Sequence, residues 1–270
     1  MRWLLGSAAD RIAPIVALSK PFVDGIENLP ADGRFLLVGN HTHFGVTESV
    51  LIPYIVRRAI GTRVRPLADR NLGRLRGPLA DLMAAYGGVV GSPEAAAKLM
   101  AHNETILVFP GGAREIAKFR DEEYTLRWHN RSGFARIAVE HQYPIVPVGH
   151  VGGDHLYQSL TTRESLWGRV SQKLSDGPGG RPDMAMPLFR GVGPTLIPRP
   201  QRMYLRFGSP IDTTAPTGTP DDDWIDAVRD RTKTDLEAIL GDLQNLRDGD
   251  PFRTLNPMAW NSAVTPARPG

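Results

Sequence analysis

Short apolar runs alternate with longer stretches of helical periodicity along most of this chain. Phe35-Leu36-Leu37-Val38 is an uninterrupted apolar run closed by Gly39, the pattern of a strand buried on both faces. After Glu48, the residues Val50, Leu51, Ile52, Tyr54, Ile55 and Val56 recur at helical spacing, with Thr47 as the expected N-cap. Arg63 to Leu67 and Val89-Val90 read as short strands. A helix from Gly77 to Tyr86 stands between them, ended by Gly87-Gly88. Ser92-Pro93 places a capping hydroxyl before a proline at the first helical position, so a helix is expected from there to about His102. Ile106 to Phe109, Ile145 to Val148 and Tyr204 to Phe207 are further strands, and Ser132 to His141 is a helix. Asp221-Asp222-Asp223 opens a last helix, carrying Ile225, Val228, Leu236, Ile239, Leu240 and Leu243. Strands alternating with helices predict an α/β fold, a mostly parallel or mixed central sheet flanked by helices.

Three stretches depart from this rhythm. Met1 to Leu18 has the spacing of an amphipathic helix, suited to packing on the domain or, as the alternative, to a membrane interface. Ser175 to Pro200 holds six prolines and five glycines around Met184, Met186, Leu188 and Phe189. It resists regular structure, and its apolar residues either line an acyl groove or touch lipid, or the segment wanders across the sheet edge. From Pro251 onward no periodicity remains. The expected organisation is a single domain over 1–250, with an N-terminal helix at 1–20, a motif core at 25–215 and a C-terminal helix at 221–247. A loosely ordered tail covers 251–270.

The 270 residues are 41% hydrophobic and 23% charged, an ordinary globular composition. With no cysteine, disulfides, thiolate catalysis and cysteine–zinc sites are all excluded. The formal charge is only +3, yet seven arginines and one acid, Asp69, lie between Arg57 and Arg76. Such a cluster suits a polyphosphate or an anionic membrane. Aromatic interleaving and a binding fold are missing, so nucleic acid is not expected. No run of eighteen apolar residues occurs, and no signal peptide is evident.

Candidate chemistry gathers where two strands end. Asn40-His41-Thr42-His43-Phe44-Gly45-Val46-Thr47-Glu48 follows the first buried strand and leads into a helix. Two histidines and a carboxylate there can form a base–orienter pair, because a Glu in a first helical turn stays ionised and can fix an imidazole tautomer. Phe109-Pro110-Gly111-Gly112-Ala113-Arg114-Glu115 follows a second buried strand. Pro110 ends the ladder, the glycines allow close backbone approach to a ligand, and Arg114 offers a fork of donors to phosphate or carboxylate. Alternatively, Arg114 and Glu115 form a solvated pair of little energetic weight. His150, Asp154 and His155 make a second polar cluster, but neither cluster has the spacing of a zinc hydrolase. No Gly-x-Ser-x-Gly elbow is present to support a serine esterase.

Together these segments resemble the glycerolipid acyltransferases, whose first motif is Asn-His followed by an acid and whose third is Phe-Pro-(Glu/Gly)-Gly-(Thr/Ala)-Arg. Phe109 to Ala113 is similar to the branch containing mono- and diacylglycerol acyltransferases and phytyl-ester synthases. The likeness extends through Trp128 to Ala138, Tyr143 to Val148 and Arg206 to Ile211, roughly residues 25 to 215. It implies acyl transfer from acyl-CoA to a hydroxyl of a lipid alcohol, with no metal and no cofactor beyond acyl-CoA as co-substrate. Catalysis is expected from His41, Glu48 and His43. The common four-residue gap fits His43 with Glu48, whereas the strand-then-Asn-His context favours His41 as base. Asn40, Phe109, Pro110, Gly111, Gly112 and Arg114 are expected to contact substrate, with the Gly111 and Gly112 N–H groups stabilising the oxyanion. Gly111 stands where phosphate-accepting members carry Glu, which favours a neutral acylglycerol or long-chain alcohol. A lysophospholipid acceptor, or non-catalytic lipid binding, is the alternative. The expected location is the cytoplasm, peripheral to the inner face of an anionic membrane.

Overall fold

A computed structural model describes Ala13, Val16 and residues 19–68, 89–177 and 185–256. Seven strands form the central sheet: β1 (Phe22–Asp24), β2 (Leu36–Gly39), β3 (Val64–Ala68), β4 (Val89–Val90), β5 (Thr105–Val108), β6 (Ile145–Val151) and β9 (Tyr204–Phe207). Their order is β1-β9-β6-β2-β5-β3-β4. Every neighbouring pair is parallel except β6 with β9, so β1 and β9 run against the other five. A separate hairpin pairs β7 (Gln158–Ser159) with β8 (Phe189–Arg190). The sheet is therefore mixed and mostly parallel, as the alternation of elements predicts.

Helices cover both faces, which is why the inner strands read as continuous apolar runs. Phe35 and Leu37 pack with Leu51, Ile52 and Val56 of α1 (Thr47–Ile60) on one side. Leu36 and Val38 pack on the other side, against α2 (Pro93–Ala101), α4 (Gly133–Glu140) and α6 (Asp221–Asp248). The four-residue α3 (Ala113–Ile116) follows β5, and α5 (Leu166–Asp176) follows the hairpin strand β7. Ser92 caps α2 as expected, its hydroxyl accepting the Ala95 N–H at 3.1 Å. Thr47 does not cap α1. The helix begins at Thr47 itself, whose hydroxyl turns to the Glu48 carboxylate.

Several expected features lie outside the described residues: most of the N-terminal helix 1–20, the helix Gly77–Tyr86, Met184, and the tail from 257 on. Within Ser175–Pro200, residues 185–199 are ordered by specific bonds. Trp167 Nε1 and the Ser171 hydroxyl both donate to the Met186 carbonyl, at 3.0 Å each, and Leu160 N donates to Leu188 O. α5, β1 and the β7–β8 hairpin have no counterpart among the elements expected from the sequence.

Candidate active site

Strands β6, β2 and β5 lie side by side, and the chain leaves all three at the same edge of the sheet. Segment 40–48 follows β2, Phe109–Glu115 follows β5, and His150 to Asp154 closes β6. Open α/β sheets carry their ligands at this carboxyl edge.

His41 is the accessible member of the group. Its side chain is 17% exposed, stacks on the Phe109 ring with centroids 3.9 Å apart, and places Nδ1 2.8 Å from Glu48 Oε1. Nε2 makes no hydrogen bond among the described residues. Glu48 is completely buried and also accepts the Thr42 N–H at 2.8 Å, the Thr42 hydroxyl at 2.6 Å and the Thr47 hydroxyl at 3.1 Å. Burial alone would raise its pKa. The hydrogen bond and charge of His41, with His150 and Thr42, outweigh that and bring it down to about 2. A carboxylate held ionised in this way fixes the Nδ1–H tautomer and leaves the Nε2 lone pair for chemistry.

The two residues beyond the common motif spacing are absorbed locally. His43–Gly45 form a single tight turn, with Phe44 at φ 64° and Gly45 at φ 67°. This shortens the path from His41 to Glu48 so that the pair closes across seven positions. At Gly45 any β-carbon would also stand 3.1 Å from His41 Nδ1.

His43 occupies a different environment. Its side chain is fully buried, with Nδ1 3.3 Å from Asp154 and Nε2 3.2 Å from both the Lys118 carbonyl and the Ser159 hydroxyl. The spacing that pairs His43 with Glu48 is thus not realised, and His43 is sealed from substrate in this conformation. Asn40 is likewise a clasp rather than a ligand-facing group. Its amide donates to the His150 carbonyl and accepts the His150 N–H, both at 2.9 Å, tying β2 to β6. His150 is buried beside Glu48, Nδ1 3.8 Å from Oε2, and burial lowers its pKa.

The Phe-Pro-Gly-Gly segment contributes shape more than donors. The Gly112 N–H is already committed to the Phe109 carbonyl at 3.0 Å. Of the two amides expected to meet an oxyanion, only that of Gly111 is left. Arg131 reaches over this turn, Nη1 donating to the Pro110 carbonyl at 3.1 Å. Arg114 is half-buried and makes no hydrogen bond or ion pair among the described residues.

Glu115 and Lys118 are the members of the site that the sequence pattern does not reveal. Glu115 is no solvated partner of Arg114. It is buried, accepts the His41 N–H at 3.0 Å and the Arg127 N–H at 2.8 Å, and burial raises its pKa. Its carboxyl fills the space at Gly111, where any β-carbon would come within 2.1 Å. Lys118, also buried, donates to the His41 carbonyl and to Asp154 Oδ2 at 2.7 Å each. Asp154 in turn accepts the His43 N–H at 2.8 Å and the Tyr124 N–H at 2.9 Å. Burial would raise the Asp154 pKa, but Lys118 and His43 hold it far below the usual carboxylate range. Only the single buried Lys in an otherwise apolar stretch, Ile116-Ala117-Lys118-Phe119, could have signalled this from sequence.

The described part of the Arg57–Arg76 cluster lies away from this site. α1 starts beside His41 and runs about 15 Å, at 1.5 Å per residue, before Arg57 and Arg58. Arg65 pairs with Glu104 at 2.9 Å, ahead of β5, at the amino edge of the strands. Arg70, Arg74 and Arg76 lie outside the described residues.

A mostly parallel α/β sheet thus presents an accessible His–Glu pair at its carboxyl edge. Residues 20–151 match the family model described as Acyltransferase. It is similar to phytyl ester synthase 2, chloroplastic, of Arabidopsis thaliana, 28% identical over 267 residues that take in 90% of this chain and 38% of the relative. An uncharacterized protein of Mycobacterium tuberculosis is 27% identical over 239 residues, 83% of this chain and 63% of that protein. The human DGAT1/2-independent enzyme synthesizing storage lipids is 28% identical over 126 residues, 47% of this chain and 38% of the relative. The chain thus spans less than two thirds of the length of each of these relatives. The crystal structure of the 1-acyl-sn-glycerophosphate (LPA) acyltransferase of Thermotoga maritima superposes with a TM-score of 0.49 at 19% identity, covering 88% of this chain and 80% of that one.

Proposed function

We propose that this chain transfers a fatty acyl group from acyl-CoA to the hydroxyl of a neutral lipid alcohol, with His41 as general base. The observation that carries the reading is the His41–Glu48 pair: an accessible imidazole whose Nδ1 is bound to a buried carboxylate and whose Nε2 is open. A hydroxyl is a weak nucleophile at neutral pH and needs a base within hydrogen-bond reach. His41 Nε2 takes the hydroxyl proton as the oxygen attacks the thioester carbon, and Glu48 stabilises the imidazolium. The tetrahedral intermediate collapses by breaking the carbon–sulfur bond, and the imidazolium proton passes to the departing CoA thiolate. The Gly111 N–H, which has no acceptor among the described residues, is the proposed donor to the oxyanion. Half-buried Arg114, without a partner among the described residues, suits a phosphate of CoA.

A neutral acceptor is favoured by position 111. Glu115 occupies the space there, so this chain cannot present a second carboxylate from Gly111 without rearrangement. The names of the phytyl ester synthases point the same way, to a long-chain alcohol. Among the described residues no helix is long and apolar enough to cross a membrane. The proposed meeting with the acceptor is peripheral, at a cytoplasmic membrane surface.

The test is product analysis by mass spectrometry, using labelled acyl-CoA with monoacylglycerol, diacylglycerol, a long-chain alcohol and lysophosphatidate in competition. Neutral esters should dominate. Preference for lysophosphatidate would refute the acceptor assignment, and turnover with a carrier-protein thioester alone would refute the donor.

A further inference from the structure

Helix α5 is built inside out. At 100° per residue, Leu166, Val170, Leu174 and Trp167 fall within one arc of about 100°, where a globular helix would face its core. Here that arc faces solvent: Leu166 is 84% exposed, Leu174 71%, Val170 48% and Trp167 41%. The inward side carries Gly168, packed against the carbonyls of Thr162 and Arg163, and Ser171, bonded to both the N–H and the carbonyl of Met186. Arg169 and Lys173 border the apolar arc on one flank, both exposed and without an ion pair among the described residues. With Arg163 they line a shallow cavity of about 430 Å³.

The apolar surface continues toward His41. Met186 and Leu188 are exposed beside α5 and lead into β8. Phe189 of β8 lies 5.1 Å from both the His43 ring and the Phe44 ring, and Phe44 and Val46 are themselves exposed in the segment that joins His41 to Glu48. Apolar side chains bordered by cations suit a bilayer with anionic headgroups, the chains entering the acyl boundary while arginine and lysine meet phosphate. Monomeric proteins rarely leave such a patch uncovered.

We infer that the outward face of α5, Leu166, Trp167, Val170 and Leu174 with Arg169 and Lys173, is a docking surface for an anionic lipid bilayer. It brings the membrane up to the Phe44 side of the candidate active site. The inference deepens the proposed peripheral meeting with a lipid acceptor, and places the contact on α5 rather than on the arginines of α1.

Vesicle sedimentation of the purified chain tests it with no donor or acceptor present, so its outcome is independent of whether the chain turns over acyl-CoA. Vesicles are phosphatidylcholine alone or phosphatidylcholine with phosphatidylglycerol. The triple variant L166Q/V170Q/L174Q should bind both kinds at least about tenfold more weakly, with an unchanged thermal midpoint because all three side chains are exposed. R169Q/K173Q should lose about tenfold toward the anionic vesicles and little toward the neutral ones. R57Q/R58Q should bind like wild type. Wild-type protein that ignores vesicles would overturn the inference, as would a triple variant that binds normally or a loss confined to R57Q/R58Q. So would a wild-type dimer in size-exclusion chromatography that the triple variant converts to monomer without vesicle binding, which would make α5 a contact between two copies. Binding to an acidic carrier protein in place of vesicles, lost in the triple variant, would overturn it equally.

Discussion

Replacing Glu48 by Gln separates the charge of the His41–Glu48 pair from its geometry. The amide oxygen can still accept from His41 Nδ1 and Thr42 N. The amide nitrogen then faces the Thr42 and Thr47 hydroxyls, which can rotate to accept. What disappears is a negative charge in a fully buried site. Its pKa falls from an ordinary 4.5 to about 2, which corresponds to on the order of 3 kcal/mol in favour of the folded state at neutral pH. Because the folded pKa is depressed, this contribution is present above about pH 4.5 and is lost as the pH falls toward 2. Urea unfolding of E48Q and wild type should therefore differ by about 3 kcal/mol at pH 7, with the gap narrowing below pH 4.5. Turnover should fall by about 10²-fold or more, since the imidazolium formed on His41 loses its counter-charge while the tautomer is kept. The drop should be in kcat rather than KM. An E48Q protein that is less stable yet within tenfold of wild-type kcat would refute the reasoning and reduce Glu48 to a structural carboxylate.

Three further outcomes follow from the same geometry. His41→Ala should lower turnover by two orders of magnitude or more, and should also cost about 1–3 kcal/mol of stability because the buried Glu48 carboxylate loses its partner. His43→Ala should lower stability by a similar amount, by leaving buried partners unpaired, but should keep turnover within about tenfold; the reverse pattern in rates would move the base to His43. Lys118→Met leaves Asp154 as a buried charge without its cation and should cost about 3–5 kcal/mol in urea unfolding, whereas Lys118→Met with Asp154→Leu should recover much of it. A double variant no more stable than the single one would remove the ion pair as the cause. Gly111→Ala should destabilise by about 1–3 kcal/mol through collision with the Glu115 carboxyl, and Glu115→Ala in the same chain should relieve that collision. Additive losses in this double-mutant cycle would show that the two positions do not share one space.

The sheet was legible in the sequence because its inner strands are buried on both faces. Phe35 to Val38 and Ile145 to Val148 are apolar at every position, while α6 repeats its apolar residues along 28 residues with three acids at the start. β1, with three half-buried residues, carries no such signal, and its reversal together with β9 comes from pairing that no local pattern encodes. Within the site, the residue types were legible and their partners were not. A four-residue gap points to His43, but a tight turn at His43–Gly45 folds the extra length away and delivers Glu48 to His41. Glu115 sits next to Arg114 in sequence and reads as a surface pair. Its burial depends on the space left at Gly111 and on amides from two other loops. α5 went unread for the opposite reason: its apolar residues have helical spacing, but they face away from the core that such spacing normally predicts.

His41 is held at three points, each by a buried ionisable side chain. Glu48 takes the imidazole, Glu115 takes the His41 N–H, and Lys118 donates to the His41 carbonyl while paired with Asp154. Buried ion pairs add little net stability over apolar side chains of the same size, because desolvation offsets their attraction. Stability is therefore a weak reason for three buried carboxylates and a lysine around a single backbone unit. Their geometric effect is strong, since each charge-assisted bond fixes a direction as well as a distance. Proton transfer rewards that kind of placement, because a base displaced by about 1 Å forfeits much of its advantage. On the substrate side of His41, by contrast, the surface is apolar and open: the Phe109 ring, Phe44, Val46 and the path to Phe189. Such surfaces discriminate weakly among alkyl groups, a methylene being worth only about 1–3 kcal/mol. In the proposed reaction, a rigidly held imidazole beside such an apolar wall would let one scaffold keep its chemistry while the acceptor alcohol changes.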